Sequence, residues 1–187
     1  MAIKPRWDER IEKSKEELKN PPVCMYEVEN IINKGLKEVN IKGRAKLIEL
    51  PKEGIDYKEI MSDYGTNAET HLIWIQFTNS GHVAVVGAGK DIGFSKKRGT
   101  GRIIDSLEGI DWCTTHLIIV PIKNLNTKSN GIKCVDNVLR CRNGVEHFIG
   151  EYLIKESVPI LNFYSHKNYS KEFWEICENN NYILKKK

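Results

Sequence analysis

The sequence predicts an α/β chain of the α+β kind. A small sheet built on an antiparallel hairpin is flanked by helices and preceded by an N-terminal extension of mixed helical structure. Three observations carry this. Thr70 to Gly89 contains no Asp, Glu, Lys or Arg, yet its middle, Gln76-Phe77-Thr78-Asn79-Ser80-Gly81, is polar and turn-forming. An unbroken apolar run of that length could span a membrane, but this interrupted one reads as two strands and a turn. Both strands are apolar on both faces, so helices are expected on both sides of the sheet. Further on, Val145, Phe148, Ile149, Tyr152 and Leu153 recur at i, i+3, i+4, i+7 and i+8, the stripe of an amphipathic helix.

Taken in order, Arg6 to Asn20 is rich in Glu and Lys and stops at Pro21-Pro22, which reads as a solvated helix. Val23 to Lys37 reads as a second helix, with Tyr26, Ile31 and Ile32 as its apolar positions. Ala45 to Leu50 is a short strand closed by Pro51, and Tyr57 to Ser62 a further helical turn. These elements make residues 1–66 the extension, and 67–187 the main domain. His71 to Thr78 is a strand, Asn79-Ser80-Gly81 a turn, and His82 to Val86 the returning strand. A glycine-punctuated basic loop runs from Gly87 to Gly101. A short helix follows around Arg102 to Leu107, then a third strand, Thr115 to Ile122. The main helix starts near Asn143, which can cap it, with Glu146 three residues later completing a capping-box pattern. Pro159 ends it. An extended segment, Ile160 to Tyr164, and a last helix, Lys171 to Asn179, complete the chain.

At 187 residues, 40% hydrophobic and 29% charged, the chain can bury a core without disulfides or a structural metal. This composition excludes a collagen, a disordered tail and a disulfide scaffold. Met1 to Lys19 is charged throughout, so no secretory signal is read, and a cytoplasmic location without membrane association is expected. The five cysteines are widely spaced. Neither Cys113-x-x-His116 nor Cys134, Cys141 and His147 match a common zinc frame, so they read as reduced, partly buried residues.

The net charge of +4 is too mild to name a partner, but it is not evenly spread. Between Gly87 and Arg102 lie Lys90, Lys96, Lys97, Arg98 and Arg102 against Asp91 alone. Between Lys123 and Arg142 lie Lys123, Lys128, Lys133, Arg140 and Arg142 against Asp136 alone. Two basic segments flank the third strand, a pattern suited to phosphate backbones. The glycines of the first segment invite a nucleotide reading, because a strand running into Gly87-Ala88-Gly89 begins like a dinucleotide fingerprint. Gly93 falls one residue late for that motif, and no Gly-Lys-Ser/Thr ending makes a Walker loop. A nucleotide or small-molecule binder using Gly87 to Gly93 is therefore kept only as an alternative.

On the main helix, Glu151 sits at the edge of the apolar stripe with His147 and Lys155 one turn to either side. A lone carboxylate in basic surroundings suits one hard cation, with water and phosphate filling its other positions.

The order of parts resembles a family. A hairpin ends in Val85-Val86-Gly87, a basic stretch with Arg98 follows, then a third strand. A helix next carries Glu151-Tyr152-Leu153-Ile154, and Pro159-Ile160-Leu161-Asn162 comes after it. This is similar to the GIY-YIG nuclease superfamily over roughly residues 70–165. The resemblance implies a three-stranded antiparallel sheet between helices and divalent-metal-dependent hydrolysis of duplex DNA, as by a restriction-type endonuclease acting as a homodimer. Glu151 would hold Mg²⁺ (or Mn²⁺). Arg98 would stabilise charge on the transferring phosphate, with Arg102 the other choice, since the guanidinium fork meets phosphate oxygens bidentately. Asn162 would brace the site, while Lys90, Lys96, Lys97, Lys133, Arg140 and Arg142 would contact phosphates. Both signature tyrosines are replaced. Val85 takes the second place, and Trp74 or Ile75 the first. The base that activates water would then be His82, His147, Lys90 or a tyrosine such as Tyr64. A member that kept the fold and binds nucleic acid or a protein without cutting is the other reading.

Overall fold

The computed structural model describes residues 7–50, 72–89, 102–122 and 142–162. Their elements are α1 (Trp7–Glu17), α2 (Met25–Glu38), β1 (Lys46–Glu49), β2 (Leu72–Thr78), β3 (Val83–Gly89), α3 (Arg102–Asp105), β4 (Trp112–Pro121) and α4 (Arg142–Lys155). The turn expected at 57–62 and the last helix at 171–179 lie outside these residues.

Helices and strands form one α+β sheet architecture, with a correction. The sheet has four strands, not three, in the order β1-β4-β2-β3, every neighbour antiparallel. The fourth strand is β1, from the region read as an extension, which pairs Lys46 through Glu49 with Ile119 through His116. A strand of four residues carries little pattern of its own, and its place was set by the long β4, which has an edge to fill.

β2 and β3 form the expected hairpin. Gly81 supplies the turn's positive φ of 88° and donates to the Thr78 carbonyl at 2.9 Å. β2 then lies in the sheet centre, between β3 and β4. Its odd-numbered residues Ile73, Ile75 and Phe77 pack with Ile118, Val120 and Val86 under α2 and α4. Trp74 points the other way and packs with Val85, Leu117 and Ile119 under α3, joined by Ile11 of α1 and Leu18 just after it. Covering both faces explains why neither strand shows polar alternation.

The sheet's outer strands are protected by local devices. Asn33 of α2 clamps Ala45, accepting its N–H at 2.8 Å and donating to its carbonyl at 3.0 Å, while Glu29 accepts the Leu47 N–H at 2.8 Å. At the other edge, residues 160–162 run parallel to β3. Leu161 donates to Val83 and Asn162 to Ala84 through backbone N–H groups at 3.0 and 2.9 Å.

α2 and α4 meet where Gly35 faces the Tyr152 ring. A Cβ at Gly35 would stand 2.9 Å from that ring, so only glycine lets the helices approach this closely. Both helices end in the same way. Ile41 donates back to Leu36 and Asn40 to Lys37 after α2; Val158 donates to Leu153 and Ser157 to Ile154 after α4. Asn40 and Ser157 take the left-handed φ values of 54° and 65° that this double-bonded ending requires. α4 therefore stops by this turn, before Pro159 is reached. It also starts at Arg142, which puts Asn143 inside its first turn rather than ahead of it.

Candidate functional site

α4 is buried on nearly every side. From Gly144 to Leu153 only Glu146 and Glu151 are partly open to solvent. Tyr152, 1% exposed, donates from its hydroxyl to Glu38 at 2.9 Å, and Lys155 stands 5.3 Å from the centre of its ring. Burial, and then the Glu38 carboxylate, push the phenol well above its ordinary range. This tyrosine stays protonated and holds two helices together.

His147 lies one turn before Glu151 and is 6% exposed. Burial lowers its pKa from 6.5 to about 4. The ring is therefore neutral at pH 7 and a weak proton acceptor. His82 is also buried, and both of its nitrogens are engaged: Nε2 meets the Asn20 carbonyl at 2.9 Å and Nδ1 the Ser80 hydroxyl at 3.0 Å. A carbonyl can only accept, so Nε2 donates to Asn20, while Nδ1 shares a hydrogen bond with the Ser80 hydroxyl. The ring ties the α1–α2 connection to the hairpin.

Trp74 and Val85, the positions that the resemblance sets against two tyrosines, are sealed. Trp74 pairs with Gly87 across the hairpin, and Val85 pairs with Gln76. Trp74 is 6% exposed and Val85 is fully buried. Gly87 is not a loop residue, which corrects the sequence reading, because β3 continues through Gly89. A Cβ at Gly87 would collide with the Trp74 ring, so the indole lies across the glycine and fills its missing side chain. Gly87 thus cannot belong to a phosphate-cradling loop.

Asn162 is buried, 1% exposed, beside β3. The carbonyl before it, that of Leu161, accepts the Ser14 hydroxyl at 2.6 Å and Arg10 Nε at 2.9 Å. α1 therefore reaches the segment that carries Asn162. Nothing in the sequence pattern signals this, since Ser14 and Arg10 sit among the charges of a helix that reads as merely solvated. Burial of a serine in the middle of that helix becomes visible only once α1 is packed.

Arg102 and Arg142 open α3 and α4 respectively. α3 lies on the Trp74 face of the sheet and α4 on the opposite face, so Arg102 and Glu151 stem from helices on different sides. Lys90, Lys96, Lys97, Arg98, Lys133 and Arg140 lie outside the described residues, as does Tyr64. Among the described residues no three His, Cys, Asp or Glu side chains gather as a metal cluster. No helix among them is long and apolar enough to cross a membrane. Compared with protein-family models, curated proteins and solved structures, the chain has no match.

Proposed function

We propose that the chain is a divergent GIY-YIG-type endonuclease that hydrolyses phosphodiester bonds of duplex DNA with one Mg²⁺ or Mn²⁺ ion. The observation that carries this reading is Glu151, which with Glu146 is one of two carboxylates partly open to solvent on the buried stretch of α4 from Gly144 to Leu153. That helix follows a sheet whose central strand is the first of the hairpin, and leads past Pro159 to Asn162 held against β3. The resemblance asks for these parts in this order.

Glu151 would hold the metal. A single protein carboxylate fits Mg²⁺, which keeps several waters and binds substrate phosphates. Such an ion supplies charge neutralisation and a more acidic bound water. Arg98 would meet the developing phosphate charge, and Asn162 would brace the site. Among the described histidines, His82 has both nitrogens committed and His147 is a weak acceptor, so neither is placed to act as the base. Cutting both strands needs two such sites, which suits a homodimer. A DNA substrate fits a cytoplasmic location.

A second reading, a DNA-binding or protein-binding member without cleavage, is favoured by the sealed Trp74 and Val85 and by the engaged His82 ring. Of the segment in the nucleotide-binding alternative, Gly87 to Gly89 lie within β3. Cleavage of varied duplexes by wild type and Glu151→Gln in Mg²⁺ and Mn²⁺ separates the two. Metal-dependent cutting by wild type, lost in Glu151→Gln, supports the nuclease. Absence of cutting together with salt-sensitive duplex binding supports the second reading.

A further inference from the structure

One peptide unit in this protein is held at both ends. Its carbonyl, on Leu161, takes hydrogen bonds from Ser14 Oγ at 2.6 Å and Arg10 Nε at 2.9 Å. Its N–H, on Asn162, donates to the Ala84 carbonyl at 2.9 Å. A carbonyl has two lone-pair directions, and each has a donor here. The peptide is planar, so turning it breaks bonds at both ends at once, and turning it is what would swing Asn162 away. Ser14 is fully buried, and the Arg10 guanidinium is braced by Glu17 at 3.2 Å. Glu17 also pairs with Lys13 at 3.8 Å, while the pairs Glu12 with Lys15 and Glu16 with Lys19 are exposed. Ile11 and Leu18 already supply the apolar contacts that dock α1.

We propose that Arg10 and Ser14 are positioning residues for Asn162, so that α1 belongs to the site although it lies far from it in sequence. The inference rests on the reading in which Asn162 braces a nuclease site. It assigns α1 a role in catalytic rate rather than in DNA affinity.

The test uses the full chain as wild type, Ser14→Ala, Arg10→Gln/Ser14→Ala, Asn162→Ala, Ser14→Ala/Asn162→Ala, and Glu12→Ala as a control on the exposed side of α1. Amide hydrogen exchange is read at Asn162 and, for reference, at Ile75 in the central strand. Exchange at Asn162 should quicken about tenfold in Ser14→Ala and about a hundredfold in the double variant, at the ordinary worth of each hydrogen bond. Ile75 should not change, and Glu12→Ala should alter neither site. For cleavage, kcat should fall by similar factors with KM held. In the Asn162→Ala background, Ser14→Ala should add nothing further. Equal quickening at Asn162 and Ile75 would overturn the proposal, because α1 would then only stabilise the fold. So would unchanged exchange at Asn162, or independent effects of Ser14 and Asn162 on kcat. If wild type cuts no duplex, the nuclease reading fails by itself, and exchange at Asn162 alone decides whether the clamp exists.

Discussion

Replacing His147 should flatten the acid side of this protein's stability curve. The native ring titrates at about 4 because burial disfavours its charged form, whereas the ordinary value is 6.5. Above pH 6.5 neither the folded nor the unfolded state holds this proton, and the full stability is present. Between pH 6.5 and 4 the unfolded chain takes the proton and the native ring does not, so stability falls as the pH falls. Below pH 4 both are protonated and the loss is complete. The gap corresponds to about 3 kcal/mol at the acid end and about 2 kcal/mol by pH 5. In a chain of this size, 2 kcal/mol is about 4–8 °C in Tm. His147→Gln and His147→Leu remove the titration, each at its own cost at pH 7.5. Melting of all three proteins should be followed from pH 7.5 to 5. Wild type should lose about 4–8 °C more over that span than either variant. Equal losses, or an NMR midpoint for the His147 ring near 6.5, would refute the burial argument.

Other tests address packing. Gly87→Ala should cost about 3 kcal/mol in urea unfolding because the Trp74 ring occupies the space, and much less in a Trp74→Ala background; equal costs in both would show that the ring does not set the preference. Gly35→Ala gains about 1 kcal/mol of helix propensity but drives a methyl into Tyr152 at 2.9 Å, so a net loss of about 1–2 kcal/mol is expected. A raised Tm would show that α2 and α4 separate easily. Ser157→Gly removes left-handed strain at φ 65° and should stabilise by about 1 kcal/mol, read as a Tm rise.

Much of the fold was legible because its signals are local. Two short apolar runs broken by Asn79-Ser80-Gly81 specify a hairpin, and the stripe from Val145 to Leu153 specifies a helix. The covering of both sheet faces could be read as well, since a strand without polar alternation has no face to give to water. Glu151 was read from the sequence as a carboxylate at the stripe's edge, and it is partly open to solvent there, as is Glu146. The misreadings were non-local. Gly87 looked like a loop glycine because its partner, the Trp74 ring, comes from another strand. β1 looked like part of an extension because its pairing partner lies some seventy residues on, at Leu117 to Ile119. His82 and His147 were equal as bases on sequence, and only packing distinguished a ring with two hydrogen bonds from one sealed in a core.

The sequence by itself determined which segments become strands and helices, where the hairpin turns, and that helices cover both faces. Hydrophobic periodicity and turn chemistry act between near neighbours and need no knowledge of the rest of the chain. Tertiary structure alone decided the fourth strand, the glycine under Trp74, the low pKa of His147 and the hold of Arg10 and Ser14 on the peptide before Asn162. Each of those depends on the distance between residues far apart along the chain, and burial and hydrogen bonding are set by that distance rather than by composition or spacing.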